Sequence, residues 1–293
     1  MAIQLDLFLD SRSVVLANEV VAALTARDVR RATSAIAALR QYDASHEQLP
    51  MLDRLALRIA LWKRPASESG EVARAARWLD EEMREASTVL GAGMQTFMES
   101  FYLELAQITG GIAYDSAHPE AHCAWQFLRS GKWAQAEEAA LIIPNASECP
   151  DALYWLAIAR YRNRGLDAAR PALFALAMRA QDRFAALLEE LGDEVLGLEW
   201  DAFQDACESE SMEPLAAWFP AWYLVEYPAA ARELENLALP GSAPGRAARQ
   251  VLRLIDLERQ GIGPRLIAER EKLRALNPGL FRLYLRRRTV RHG

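Results

Sequence analysis

The sequence predicts an all-α chain, a right-handed stack of antiparallel helical hairpins, with a less regular α-bundle as the alternative. Three observations carry this. Strand signals are nearly absent, whereas apolar residues recur at helical spacing from Val14 to Arg288. Clusters of Gly, Pro, Ser and Asn interrupt that pattern without forming a long linker. A glycine-centred unit also repeats: Phe127-x3-Gly131-x-Trp133-x2-Ala136 is echoed by Tyr161-x3-Gly165-Leu166-x2-Ala169, with the aromatics and the glycines each 34 residues apart. In a helical hairpin of this kind the aromatic packs near the end of the first helix, glycine supplies the positive φ at the turn, and a small Ala lets the second helix approach.

Taken in order, residues 1–12 read as an N-terminal arm, 13–243 as a helical-repeat domain, and 244–293 as a basic helical segment packed on the same domain. Leu16, Val20, Val21 and Leu24 follow the i, i+4, i+5, i+8 stripe of an amphipathic helix. Ala26-Arg27-Asp28-Val29-x2-Ala32, with Leu39 and Asp43, reads as the turn and second helix of an N-terminal unit, Arg27 standing where glycine would. Leu52, Leu55, Leu57, Ile59 and Leu61 form a broader apolar band. Breaks fall at 63–70, 109–119, 143–151, 208–214 and 239–245, each with the residues that end one helix and cap the next. The repeat predicts helix pairs over about 120–143 and 151–180, with Ala136 and Ala169 at close helix contacts. Residues 192–239 fit the repeat poorly, and Gly261 and Pro278 stand 17 residues apart, as a turn glycine and a closing proline would.

Composition bounds the function classes. A chain of 293 residues, 52% of them apolar, can bury one elongated core or two smaller ones without disulfides. Cys123, Cys149 and Cys207 cannot all pair within one chain and show no C-x2-C metal spacing, which fits a reducing compartment. Met1 to Asp6 lacks the basic start of a signal peptide, and charge interrupts every apolar run before 18 residues, so the expectation is a cytoplasmic protein with no membrane partner. The net charge of −6 is uneven: residues 244–293 hold 13 Lys/Arg against 4 Asp/Glu, and the preceding 243 residues hold 21 against 36. Arg282, Arg286, Arg287, Arg288 and Arg291 make up the basic tail. It either packs along the acidic body or offers phosphate or nucleic-acid contacts.

The repeat spacing resembles the tetratricopeptide repeat, whose arrays bind other polypeptides, and about residues 119–180 carry the resemblance. It implies a non-enzymatic protein that holds a protein or peptide partner in a concave groove. Carried over from Gly131 and Gly165, the family register places Trp125, Leu128 and Arg129, then Trp155, Arg162 and Asn163, toward that groove. Aromatic plus Arg is the composition of binding hot spots, so at least two of Trp125, Arg129, Trp155 and Arg162 are expected to be exposed on one face. The second unit is one residue short between Gly165 and Ala169, which leaves its register open by one. Lys132 is the only lysine in this stretch, so the family's two-lysine grip on a peptide carboxylate is missing.

A second resemblance lies in Gln4-Leu5-Asp6-Leu7-Phe8, which is similar at all five positions to the motif by which bacterial polymerases and repair proteins attach to the DNA sliding clamp. It implies an accessory factor of DNA replication or repair tethered to that clamp by an extended, accessible segment. The other reading is an arm whose Leu5, Leu7 and Leu9 alternate because one face lies against the first hairpin.

No catalytic, cofactor or metal constellation emerges. His118 and His122 have i, i+4 spacing, but Pro119 favours the first helical position and so makes His118 a flanking residue. Thr109-Gly110-Gly111 lacks any nucleotide-loop context and reads as a helix terminator, and there is no Gly-x-Ser-x-Gly elbow. Asp80-Glu81-Glu82 and Glu189-Glu190 read as solvated helix faces, and the tryptophans mostly as core.

Overall fold

Helix caps fall where the punctuation residues predict them. The computed structural model describes residues 12–234, 237–261 and 263–290. Among these the secondary structure is helical, with no strand. The all-α expectation therefore holds. The chain divides into two compact units, 1–132 and 133–293, a division that falls inside the span 13–243.

In the first unit α1 (Arg12–Thr25), α2 (Val29–Tyr42) and α3 (Leu49–Leu61) pack on one another. Asp28 caps α2 by accepting a hydrogen bond from the Arg31 amide at 3.0 Å. Arg27 adopts the left-handed φ of 58° at the α1–α2 turn, which costs a non-glycine residue about 1–2 kcal/mol. Its side chain offsets this. The guanidinium lies 3.9 Å from the Phe101 ring centroid and bonds Glu104 at 3.0 Å. The apolar band on α3 is narrower than its sequence suggests, for Leu52, Leu55 and Ile59 are buried whereas Leu57 and Leu61 are exposed. α4 (Ser69–Trp78) runs into a π turn at Leu79–Met83, a last α-helical turn Arg84–Ser87 and a 3-10 segment Thr88–Gly93. α5 (Met94–Thr109) and the short α6 (Cys123–Arg129) complete the unit and pack together.

The second unit begins with α7 (Trp133–Leu141), α8 (Pro150–Arg164) and α9 (Leu166–Arg179). Gly131 (φ 73°) and Gly165 (φ 86°) lie between consecutive helices and neither is mid-helix. α8 packs on both α7 and α9, and Ala136 and Ala169 are fully buried. α10 (Gln181–Leu191) ends at left-handed Gly192, and Asp193 caps α11 (Glu194–Ser209) through the Leu196 amide at 2.9 Å.

The poorly matching middle then changes the packing. Every residue from Phe219 to Val225 in α12 (Phe219–Glu226) is buried. α12 contacts α9, α13 (Ala243–Gln260) and α15 (Pro278–Val290), so here the packing is that of a bundle around a central helix. In a strict hairpin stack each repeat touches only its neighbours. α14 (Pro264–Leu276) joins α13 across Gly261 (φ 105°). Pro278 opens α15 instead of closing a repeat, with Asn277 accepting from the Leu280 amide at 3.0 Å.

Candidate functional site

Trp125 and Arg129, four residues apart on α6, come together. His122 starts this helix, its Nδ1 accepting from the Ala124 amide at 3.3 Å. Burial lowers the His122 pKa, so the ring is neutral. One turn along, the Arg129 guanidinium lies 5.3 Å from the Trp125 ring centroid. Both side chains are half-buried.

Asp80 fixes that guanidinium from the π turn. Its Oδ1 accepts from Arg129 Nη2, from the Tyr102 hydroxyl at 2.6 Å and from Arg84 Nη2 at 3.5 Å. Arg84 Nη2 also donates to the Tyr102 oxygen at 3.3 Å. A π turn inserts one residue into the helix and rotates the next side chains, and such turns recur at functional sites. Here Leu79 and Met83 remain fully buried at its two ends while Asp80 reaches α5 and α6. The reading of Asp80-Glu81-Glu82 as a solvated face is corrected for Asp80, whose side chain is 22% exposed, and Glu82 pairs with Arg58. Glu189 and Glu190 are exposed, as expected of a solvated face, and Glu190 accepts a bond from the Tyr154 hydroxyl.

Burial, and after it Asp80, pushes the Tyr102 pKa up to about 12, so the phenol stays protonated in the neutral range. The consequence is measurable. Because the folded value lies above the ordinary value of about 10, this contribution to stability is intact below pH 10 and is lost as pH rises towards 12. A shift of that size is worth about 2–3 kcal/mol. Alkaline unfolding followed by circular dichroism is expected to steepen over this window, and Tyr102→Phe to flatten it.

The cluster combines two guanidinium groups, one carboxylate and one partly exposed aromatic ring, Trp125, over a fully buried phenol that holds its proton. It can grip a polar chain and stack on it.

The remaining predicted residues lie elsewhere. Trp155 is a core residue, 2% exposed within α8, which corrects its assignment to a groove. Arg162 and Asn163 are exposed near the end of α8, and Arg162 lies 5.5 Å from the Tyr161 ring centroid. Trp125 and Arg129 belong to the first unit and these three residues to the second.

The described tail arginines face carboxylates. Arg282 and Arg286 bind Glu210, whose side chain is 2% exposed, while Arg287 meets Glu226 at 3.4 Å and Arg288 meets Glu258 at 2.8 Å. Arg291 and the segment Gln4, Leu5, Asp6, Leu7 and Phe8 lie outside the described residues.

Asp80, Arg84 and Tyr102 were missed at the sequence level. Asp80 and Arg129 are 49 residues apart, and no local pattern announces a π turn.

Among the described residues no helix is long and apolar enough to cross a membrane. No protein-family model matches the chain, and neither a curated protein nor a solved structure is similar enough to count as a match.

Proposed function

We propose that this is a non-enzymatic, cytoplasmic interaction protein built of helical hairpins, and that it binds a protein or peptide partner through the Trp125–Arg129 face of its first unit. One observation carries the reading: an arginine is stacked on a partly exposed tryptophan and held there by a carboxylate and a phenol. Such a pair is preorganised, so less side-chain entropy is lost when a partner docks on it. Tryptophan and arginine are also the residues on which binding energy concentrates. A displayed library of random peptides, selected on the full chain, tests this. Peptides with a shared consensus are expected, and Trp125→Ala with Arg129→Gln should weaken their binding at least thirty-fold, about 2 kcal/mol for a hot-spot pair. Selected peptides that bind the double variant as well as wild type would refute the site.

A second reading is favoured by the five-residue match at Gln4 to Phe8: an accessory factor of bacterial DNA replication or repair tethered to the sliding clamp. Calorimetry of a peptide covering residues 1–11 with a bacterial clamp is expected to give micromolar binding, lost on Gln4→Ala with Phe8→Ala. Absence of heat at high clamp concentration would make the match a coincidence.

A further inference from the structure

The cations of the basic segment of the second unit differ in their carboxylate partners. Arg282, Arg286, Arg287 and Arg288 on α15 each have a carboxylate partner. On α13 the residues 246, 249, 250 and 253 fall on one face at i, i+3, i+4, i+7, and Lys272, Ala275 and Leu276 face them from α14. Together these line an open groove of about 670 Å³.

Arg246, Arg249, Arg253 and Lys272 are all exposed. Glu269 is the carboxylate shared by Lys272, at 2.7 Å, and Arg253, at 3.7 Å. It is pinned from below by Gln250, which donates to it at 2.6 Å. Arg246 and Arg249 donate to the carbonyl oxygens of Gly241 and Leu239, at 2.6 and 3.0 Å, and among the described residues neither meets a carboxylate. One carboxylate against four cations leaves the groove with three positive charges in excess.

We infer that this groove binds the phosphodiester backbone of duplex nucleic acid without reading its sequence. Arg246 and Arg253 are two turns apart, roughly 10 Å along the helix axis, so the cations form a row suited to a chain of phosphates more than to one. Arginine forks also match phosphate oxygens in pairs. The floor offers only Ala275 and Leu276, with no aromatic ring on which unpaired bases could stack and no deep apolar pocket for the anchor side chains of a peptide. Recognition then rests on a backbone that carries its charge at regular intervals. This inference stands apart from the peptide-binding face, which lies in the other unit.

Fluorescence anisotropy of a short labelled DNA duplex with the full chain tests it, with a single strand of the same sequence and a poly-glutamate peptide as competitors. Three phosphate contacts imply an affinity that falls roughly forty-fold between about 50 and 200 mM salt. Arg246→Gln with Arg249→Gln keeps donors for the two carbonyls but removes two charges, and should reduce that fall to about three- to four-fold. Arg259→Gln, at an exposed arginine paired with Asp256 outside the groove, should leave it unchanged. Absence of salt-dependent duplex binding, or an Arg246/Arg249 variant identical to wild type, overturns the inference. So does stronger competition by poly-glutamate or by the single strand than by unlabelled duplex.

Discussion

Glu199→Ala is expected to destabilise the second unit by about 3–5 kcal/mol, because it strands a buried guanidinium. Arg170 on α9 donates to both carboxylate oxygens of Glu199 on α11, at 2.7 and 3.0 Å, and the two side chains are 7% and 10% exposed. The same guanidinium lies 4.7 Å from the Tyr223 ring centroid on α12. Three helices therefore meet at one charge. Asp167, 3.2 Å from Arg170 but itself largely exposed, supplies some compensation and places the loss toward the lower end of the range. The reverse comparison is as informative. Replacing both partners by apolar residues of similar size, Arg170→Met with Glu199→Leu, should leave stability near the wild-type value or raise it, since burying the pair costs about what its attraction returns. Urea unfolding followed by circular dichroism measures both. A loss under 1 kcal/mol for Glu199→Ala would show that water reaches the pair.

Phe219→Ala should cost a comparable amount, about 3–5 kcal/mol, through a cavity rather than a charge. Phe219 is fully buried at the start of α12. The centroids of the Phe174, Phe184, Trp200, Phe203, Trp222 and Tyr223 rings lie between 5.4 and 6.3 Å from its own. These rings come from α9, α10, α11 and α12, so one side chain is the point on which four helices converge. Rigid rings with edge and face preferences cannot collapse into the space as aliphatic chains would. Phe219→Leu, which keeps most of the volume, is expected to lose less than half as much in the same urea titration. Equal losses for the two variants would place the stabilisation in ring-to-ring geometry instead of filled volume.

The parts of the fold that were legible in the sequence are those set by local chemistry. Gly131, Gly165 and Gly261 lie at turns because positive φ is a property of the residue itself. Asp28, in the turn predicted before the second helix, caps it for a similar reason, a short acceptor next to free amides. Arg27 is the instructive case. Its left-handed turn could be anticipated from the repeat, but what holds it there, Phe101 and Glu104, lies more than seventy residues away.

The same limit governs the candidate site. Trp125 and Arg129 could be paired on paper because i and i+4 share a helix face. Asp80 could not, because its approach to a residue 49 positions away runs through a π turn at Leu79–Met83 that no local pattern announces. Trp155 was misplaced because burial on α8 extends almost all round the helix, so periodicity gives no inward face to choose. The tail arginines looked alike in composition, yet Glu210, Glu226 and Glu258 pair with four of them, whereas Arg246 and Arg249 on α13 meet no carboxylate among the described residues. Charge counts do not show which cations have partners.

We propose that the first unit binds a polypeptide where Arg129 lies over Trp125. Amide hydrogen exchange of the full chain, with and without a peptide selected on it, addresses that location directly. Exchange is expected to slow in α6 and in the π turn Leu79–Met83, because a ligand gripping Arg129 also steadies the Asp80 that holds it. Slowing confined to residues 133–293, with α6 and the π turn unchanged, would contradict the claim.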